Sequence, residues 1–301
     1  MSIARSRLIA ARLAPRTSVV PVRFASARAF RHAAAPLAAP HPTAAPVAAL
    51  ALALSGSIAL TAATKKKMTD SPVAVLAEEH FQDKSYDRTK LYEDLKAAHA
   101  ADPEDVGVMW RLARAAYDVS NLKKTPADET KRLIYSAYEV IQQALAKTEE
   151  IAEVHNWYGI ILSRIGDFEG TKVAIANSYK IKSHWEKAIE LKPSFPTTYH
   201  LLGRWCMTIS DLSWLERKAA AVLFGSPPES SYDEALKFLL KCDELDPGSW
   251  KKNTMLIAQV YYKQRNWAVA KEWTEKTLAA PIQTEEDQTV HEEATALLKK
   301  F

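Results

Sequence analysis

Arg204, Trp205, Trp214, Arg217, Lys218, Lys251 and Lys252 are the residues of this chain best suited to recognition. Tryptophan and arginine dominate binding surfaces because they join a large apolar area to directed hydrogen bonds. Neighbouring lysines add positive charge for an acidic partner. Covalent chemistry has less to draw on. Cys206 and Cys242 are the two cysteines, and both fall at positions expected in a helical core. The eight histidines are scattered, and none stands at ligand spacing from another histidine or a cysteine. The sequence holds no phosphate-binding glycine loop, no dinucleotide fingerprint, no G-x-S-x-G and no H-E-x-x-H. The expectation is therefore a binding protein, not an enzyme, with no catalytic residue, cofactor or metal.

Those residues need elements to hold them, and the elements are written as a repeat. In tetratricopeptide repeats one helix carries a bulky residue, a Leu-Gly-like pair and an aromatic, and the next helix carries an Ala, a bulky residue and a closing Pro. One copy here reads Tyr199, Leu202-Gly203, Cys206, then Ala235, Leu239, Pro247. The following copy reads Thr254, Ile257-Ala258, Tyr261, then Ala270, Thr274 and Pro281, the proline one place early. The preceding copy reads His155, Tyr158-Gly159, Leu162, then Trp185 and Pro193. Small residues at Gly159, Gly203 and Ala258, met by Ala188, Ala235 and Ala270, would let paired helices approach closely. Each pair leaves an apolar face that only a stacked neighbour can bury, so the expected fold is an all-α, tetratricopeptide-like solenoid with a curved surface for a partner.

Two copies are interrupted. The run Phe168 to His184 separates Gly166-Asp167 from Trp185, and a longer insert spans Met207 to Ser231. Insertions in solenoids tend to fall on one face, often the binding face, so the second insert is the leading place for a partner surface. Upstream, Trp110, Ala113 and Tyr117 continue the first-helix pattern, Leu133 to Leu145 supplies a second helix, and Leu91 to Pro103 reads as one more. Helical periodicity fills residues 71–301, which are expected to form the repeat domain.

Residues 1–35 are of another kind. They carry seven arginines, and no acidic residue occurs before Asp70, as in a mitochondrial presequence. A Pro/Ala linker over 36–70 follows. Within it, 47–63 is uncharged, apolar and closed by Lys65-Lys66-Lys67. A spanning helix needs about 20 apolar residues, so 47–63 is a short candidate for a membrane anchor, with a longer presequence or a tether as alternatives. Ten of the 40 basic residues and none of the 36 acidic ones lie in 1–67. The rest of the chain therefore holds 30 basic against 36 acidic residues, a net of −6. Such a domain is a poor nucleic-acid binder.

From Val154 to Thr289 the sequence resembles the regulator of microtubule dynamics proteins, a small tetratricopeptide-like family. The resemblance rests on His155-Asn-Trp-Tyr-Gly159, His200-Leu-Leu-Gly-Arg-Trp-Cys206, Leu212-Ser-Trp-Leu-Glu-Arg-Lys218, Pro227-Pro228, Tyr232-Asp-Glu-Ala-Leu236 and Lys251-Lys-Asn253. It weakens before residue 85 and is lost in the first 70. It implies a helical adaptor associated with microtubules or the spindle, with members also on mitochondria. One membrane-anchored relative is similar to lipid-binding proteins at organelle contacts. The family's acidic run around a Phe-Phe pair has no counterpart here.

Acidic tubulin tails would be repelled by a net charge of −6 unless positive charge is gathered locally. Lys172, Lys180, Lys182, Lys187 and Lys192, and Arg217-Lys218 with Lys251-Lys252, are the candidate clusters; solvated faces matched by Glu are the competing reading. A phospholipid carrier would instead line a groove with Trp214, Leu215, Val222, Leu223 and Phe224, unless these cap the stretched repeat. The expected locations are the mitochondrion, with membrane association, or alternatively the cytoplasm, cytoskeleton and spindle. Residues 1–70 fused to a fluorescent reporter should carry it to mitochondria; a diffuse cytosolic signal would refute the presequence reading.

Overall fold

Polar side chains mark where many of the helices begin. The computed structural model describes residues 70–83, 85–224 and 228–301. Among them it contains twelve helices: α1 Pro72–Gln82, α2 Arg88–Ala101, α3 Val106–Ser120, α4 Ala127–Lys147, α5 Ala152–Glu169, α6 Thr171–Leu191, α7 Pro196–Ser210, α8 Trp214–Phe224, α9 Tyr232–Leu245, α10 Lys251–Lys263, α11 Trp267–Ala279 and α12 Glu285–Leu298. Ser71, Asp87, Asp105 and Ser231 each accept a backbone N–H at a helix start, and Thr284 forms a reciprocal capping box with Asp287. Pro72 and Pro196 open their helices, where a missing N–H costs nothing. The expected leader over 1–35 and the candidate anchor over 47–63 lie outside the described residues. Among the described residues no helix is long and apolar enough to cross a membrane.

The helices pack as antiparallel pairs: α3 with α4, α5 with α6, α7 with α9 and α10 with α11. The first expected insert lengthens α6 at its start and makes no separate helix. Gly170, at φ +84°, turns the chain from α5 straight into α6, a conformation that favours glycine. The second insert becomes α8, interposed between α7 and α9.

Pairing depends on the small residues. A Cβ on Gly159 would lie 2.3 Å from Trp185 Nε1, and one on Gly203 would lie 2.5 Å from Leu239 Cγ. Ala188, Ala235, Ala258 and Ala270 are fully buried. The core is continuous along the stack: Trp205 and Phe238 pack against both the amino-terminal cluster and the α7–α9–α10 cluster, and Trp273 joins that one to the α10–α12 cluster.

Buried polar bonds set the register between successive first helices. Asn156 on α5 accepts from Thr198 Oγ1 on α7 at 2.9 Å, and its backbone carbonyl accepts from Trp185 Nε1 at 3.2 Å. Asn253 on α10 donates to the Leu239 carbonyl at 2.9 Å, which leaves its Oδ1 to accept from His200 Nδ1 at 3.1 Å. His200 is therefore the neutral Nδ1–H tautomer, and it stacks on Trp250 at 3.8 Å. At the amino-terminal end, Arg111 holds Asp70 through two bonds of 2.9 and 2.7 Å, and Arg114 holds Glu78. These pairs fasten α1 onto α3.

Gly203→Leu should lower stability by about 1–3 kcal/mol through overpacking while leaving the helical circular dichroism in place. Urea unfolding measures it, and unchanged stability would contradict the close contact with Leu239.

Candidate functional site

The first helices of four successive pairs border one concave groove. Tyr117 and Asn121 come from α3, Arg164 from α5, His200 and Arg204 from α7, and Trp250 and Lys252 from the start of α10. Glu286 of α12 closes the far side. Together they surround a cavity of about 180 Å³. Thr197 and Trp250 are shared with a wider opening of about 920 Å³ that runs towards α1 past Trp110, Asn156 and Trp157. Lys123, beyond α3, reaches Glu285 of α12 with a nitrogen–oxygen distance of 2.5 Å, so early and late parts of the solenoid meet beside the cavity.

Three cations approach it. The Arg204 guanidinium makes no hydrogen bond among the described residues; burial pulls its pKa down, against the opposing influence of Tyr117, Glu286 and Asp167. Arg164 donates to Asp167 at 2.9 Å, and its Nε is buried without a partner. Lys252 reaches Glu293 at 3.2 Å. Burial raises the pKa of the Glu286 carboxyl, against the opposing influence of Lys252 and Arg204. Unpaired donors in a partly dry cleft are well placed to receive an acidic group.

The seven residues singled out from the sequence do not form one surface. Arg204 and Lys252 meet at the groove. Trp205 turns into the crevice between α6 and α7, with Lys182 Nζ 5.0 Å from its ring and its own Nε1 buried and unpartnered. Lys251 is 2% exposed and donates to the Ala280 carbonyl at 2.5 Å, so it closes the end of α11 and is not available to a partner. Arg217 donates to the carbonyls of Leu212 and Ser210, both at 3.1 Å, and holds the turn into α8. Trp214 and Lys218 stand in solvent on α8, with Lys218 Nζ 4.1 Å from the indole ring.

Trp214, Leu215 and Val222 neither line a groove nor cap the core; all three are exposed. The inward position of α8 is Ala220, which is small and buried, so the bulky residues are turned away. The side chains of Leu223 and Phe224 lie outside what is described. Lys182, Lys187 and Lys192 pair with Glu234, Glu190 and Glu153, as solvated faces do, whereas Lys172 and Lys180 form no ion pair among the described residues. Arg164, Trp250 and Glu286 were not anticipated, since each belongs to a different helix and only curvature joins them.

Burial pushes the Cys206 and Cys242 thiols up to about 11 and about 12, so both stay protonated. No group of three or more His, Cys, Asp or Glu among the described residues is arranged to hold a metal.

The family described as Regulator of microtubule dynamics protein 1-3 matches residues 76–301. The chain belongs to that family. Regulator of microtubule dynamics protein 1 of Mus musculus is 42% identical over 224 residues, which is 74% of this chain and 73% of the relative. Regulator of microtubule dynamics protein 3 of Mus musculus is 32% identical over 225 residues, 75% of this chain but 48% of the longer relative. Among solved structures, a thermophilic TPR protein of Thermus thermophilus superposes with a TM-score of 0.51, covering 74% of this chain and 97% of that one. At 12% identity that likeness concerns the fold alone. Family membership and fold both place this regulator-family chain among tetratricopeptide-like helical-repeat proteins.

One feature inside the family fold responds to acid. His155 Nε2 donates to the Glu149 carbonyl at 3.0 Å, so its Nδ1 accepts from His184 Nδ1–H at 2.8 Å across the α5–α6 hairpin. Burial, then the neighbouring His155 and Lys180, lower the His184 pKa to about 4. The unfolded chain takes up that proton near pH 6.5 and the folded one only near 4. The contribution is therefore complete above pH 6.5 and is lost as pH falls towards 4. Subtracting the stability curve of His184→Asn from that of the parent should isolate a loss on the order of 2 kcal/mol in that window. A difference curve that is flat with pH would refute it.

Proposed function

We propose that this protein is a non-enzymatic adaptor of the regulator of microtubule dynamics family whose concave groove takes an acidic, extended segment of a protein partner. The observation that carries the reading is Arg204: a half-buried guanidinium that makes no hydrogen bond among the described residues, flanked by Arg164 and Lys252 from neighbouring repeats. Outside 1–67 the chain has a net charge of −6, so an acidic ligand must find positive charge concentrated in one place, and the groove concentrates it. The acidic tails of tubulin have this chemistry, which agrees with the name of the family. A charged lining of this kind suits an anionic polar ligand better than an acyl chain. The arginine-rich leader supports a mitochondrial location for the adaptor.

Co-sedimentation of the full-length chain with microtubules tests the reading. Arg204→Gln together with Lys252→Gln should weaken binding about tenfold, equivalent to roughly 1.4 kcal/mol, with unchanged circular dichroism. Binding of the parent should fade as salt rises, because the screening length shortens to about 8 Å near physiological ionic strength. Equal binding by parent and variant would remove the groove from the function. Binding indifferent to salt would exclude an acidic segment.

A further inference from the structure

Helix α8 turns its large apolar side chains outward. Trp214 is 68% exposed, Leu215 54% and Val222 87%. Trp214, Lys218 and Val222 follow one another at four-residue steps on one stripe, and Leu215 flanks it. The other side of the helix is committed to the fold. Ala220 is buried, Arg217 bonds the preceding carbonyls, and Glu216 accepts from the Ser213 N–H at 2.7 Å while Ser213 Oγ caps the Glu216 N–H. The outward stripe therefore carries tryptophan, leucine, valine and a lysine, and no acid.

The element beneath α8 extends this character. α8 packs on α6, and from Thr171 to Trp185 the α6 sequence has three lysines and no acidic residue. Lys172 and Lys180 are exposed and form no ion pair among the described residues. On a domain of net negative charge these lysines put positive charge on the helix that α8 touches, with Glu229 near Tyr179 as the acidic residue facing that stretch. The basic leader, the apolar run 47–63 and Lys65-Lys66-Lys67 enter the same domain at Asp70.

We propose that the outward face of α8, with the first half of α6, docks on an anionic lipid surface. Tryptophan prefers the interface between hydrocarbon and water, leucine and valine enter the acyl boundary, and lysines attract acidic headgroups while their stems reach along the apolar layer. An acidic peptide would satisfy Lys172, Lys180 and Lys218 but would leave the three apolar side chains in water. Contiguous apolar exposure of this kind marks an interaction site. This surface is separate from the groove, so the two readings stand or fall independently.

The test uses the full-length chain with Val222→Cys carrying a solvent-sensitive dye; Cys206 and Cys242 are buried, which directs the label to position 222. On vesicles of phosphatidylcholine containing phosphatidylserine, the dye emission should move to the blue, brighten several-fold and be quenched by brominated lipid. Lys172→Glu, Lys180→Glu and Lys218→Glu together should abolish the change, as should Trp214→Ser with Leu215→Ser, with helical circular dichroism retained. The proposal is overturned if the protein ignores these vesicles, or if it binds them with the dye still in water, which would assign attachment to the leader. A blue shift that grows with protein concentration without vesicles would assign the face to a second copy. A shift produced by an acidic tubulin-tail peptide alone would assign it to a protein partner.

Discussion

The structure rests on the close approach of paired helices where one residue has no side chain. At Gly159 and Gly203 the partner helix presses Trp185 and Leu239 into the space a Cβ would fill. Packing density in such contacts is that of a protein interior, and dispersion between many atoms at short range rewards the fit. Because the same contact recurs along the chain, successive pairs have similar shape and can stack. The clusters that span the pairs then make one core out of units that could not bury their own apolar faces.

Apolar contact alone would let stacked pairs slide. Asn156 with Thr198, and His200 with Asn253, prevent this by placing buried polar groups where only one alignment satisfies them. A buried donor or acceptor left without a partner costs about 1–3 kcal/mol, more than a typical bond gains. Small shifts between repeats are therefore penalised, and the curvature of the stack is held. That curvature is what brings Tyr117, Arg164, Arg204, Lys252 and Glu286 around one cavity from five separate helices. The groove is thus a consequence of register, and its charge is a consequence of which helix faces turn inward.

The architecture was legible in the residues to a considerable depth. Gly159, Gly203, Ala258 and their alanine partners stood at the expected spacing, and each sits at a close helix contact or in the core. The family resemblance rested on pieces such as Gly203-Arg-Trp-Cys206 that generic repeats do not carry, and it holds over residues 76–301. The candidate site was legible only in part. Trp205 and Arg217 have the right chemistry for a partner but are engaged within the fold. For the bulky residues of the second insert the sequence offers a partner surface at Trp214, a groove lining or a cap on the stretched repeat, and the last two turn them inward as apolar residues usually are. A helix that packs through Ala220 reverses that rule.

Lys251 and Lys252 show the division most plainly. By itself the sequence determined that two adjacent lysines stand just before the repeat pattern that begins at Thr254, that the helices pair through small residues, and that a basic, acid-free segment precedes an acidic domain. These follow from local spacing and composition, which act between near neighbours. Only the tertiary structure decided that Lys251 is buried against the Ala280 carbonyl while Lys252 borders the groove. Consecutive residues on a helix point about 100° apart, so which of them meets a neighbouring helix and which meets solvent depends on how that helix is rotated in the stack. Long-range packing sets that rotation, because it is the sum of contacts made with residues far away in the chain.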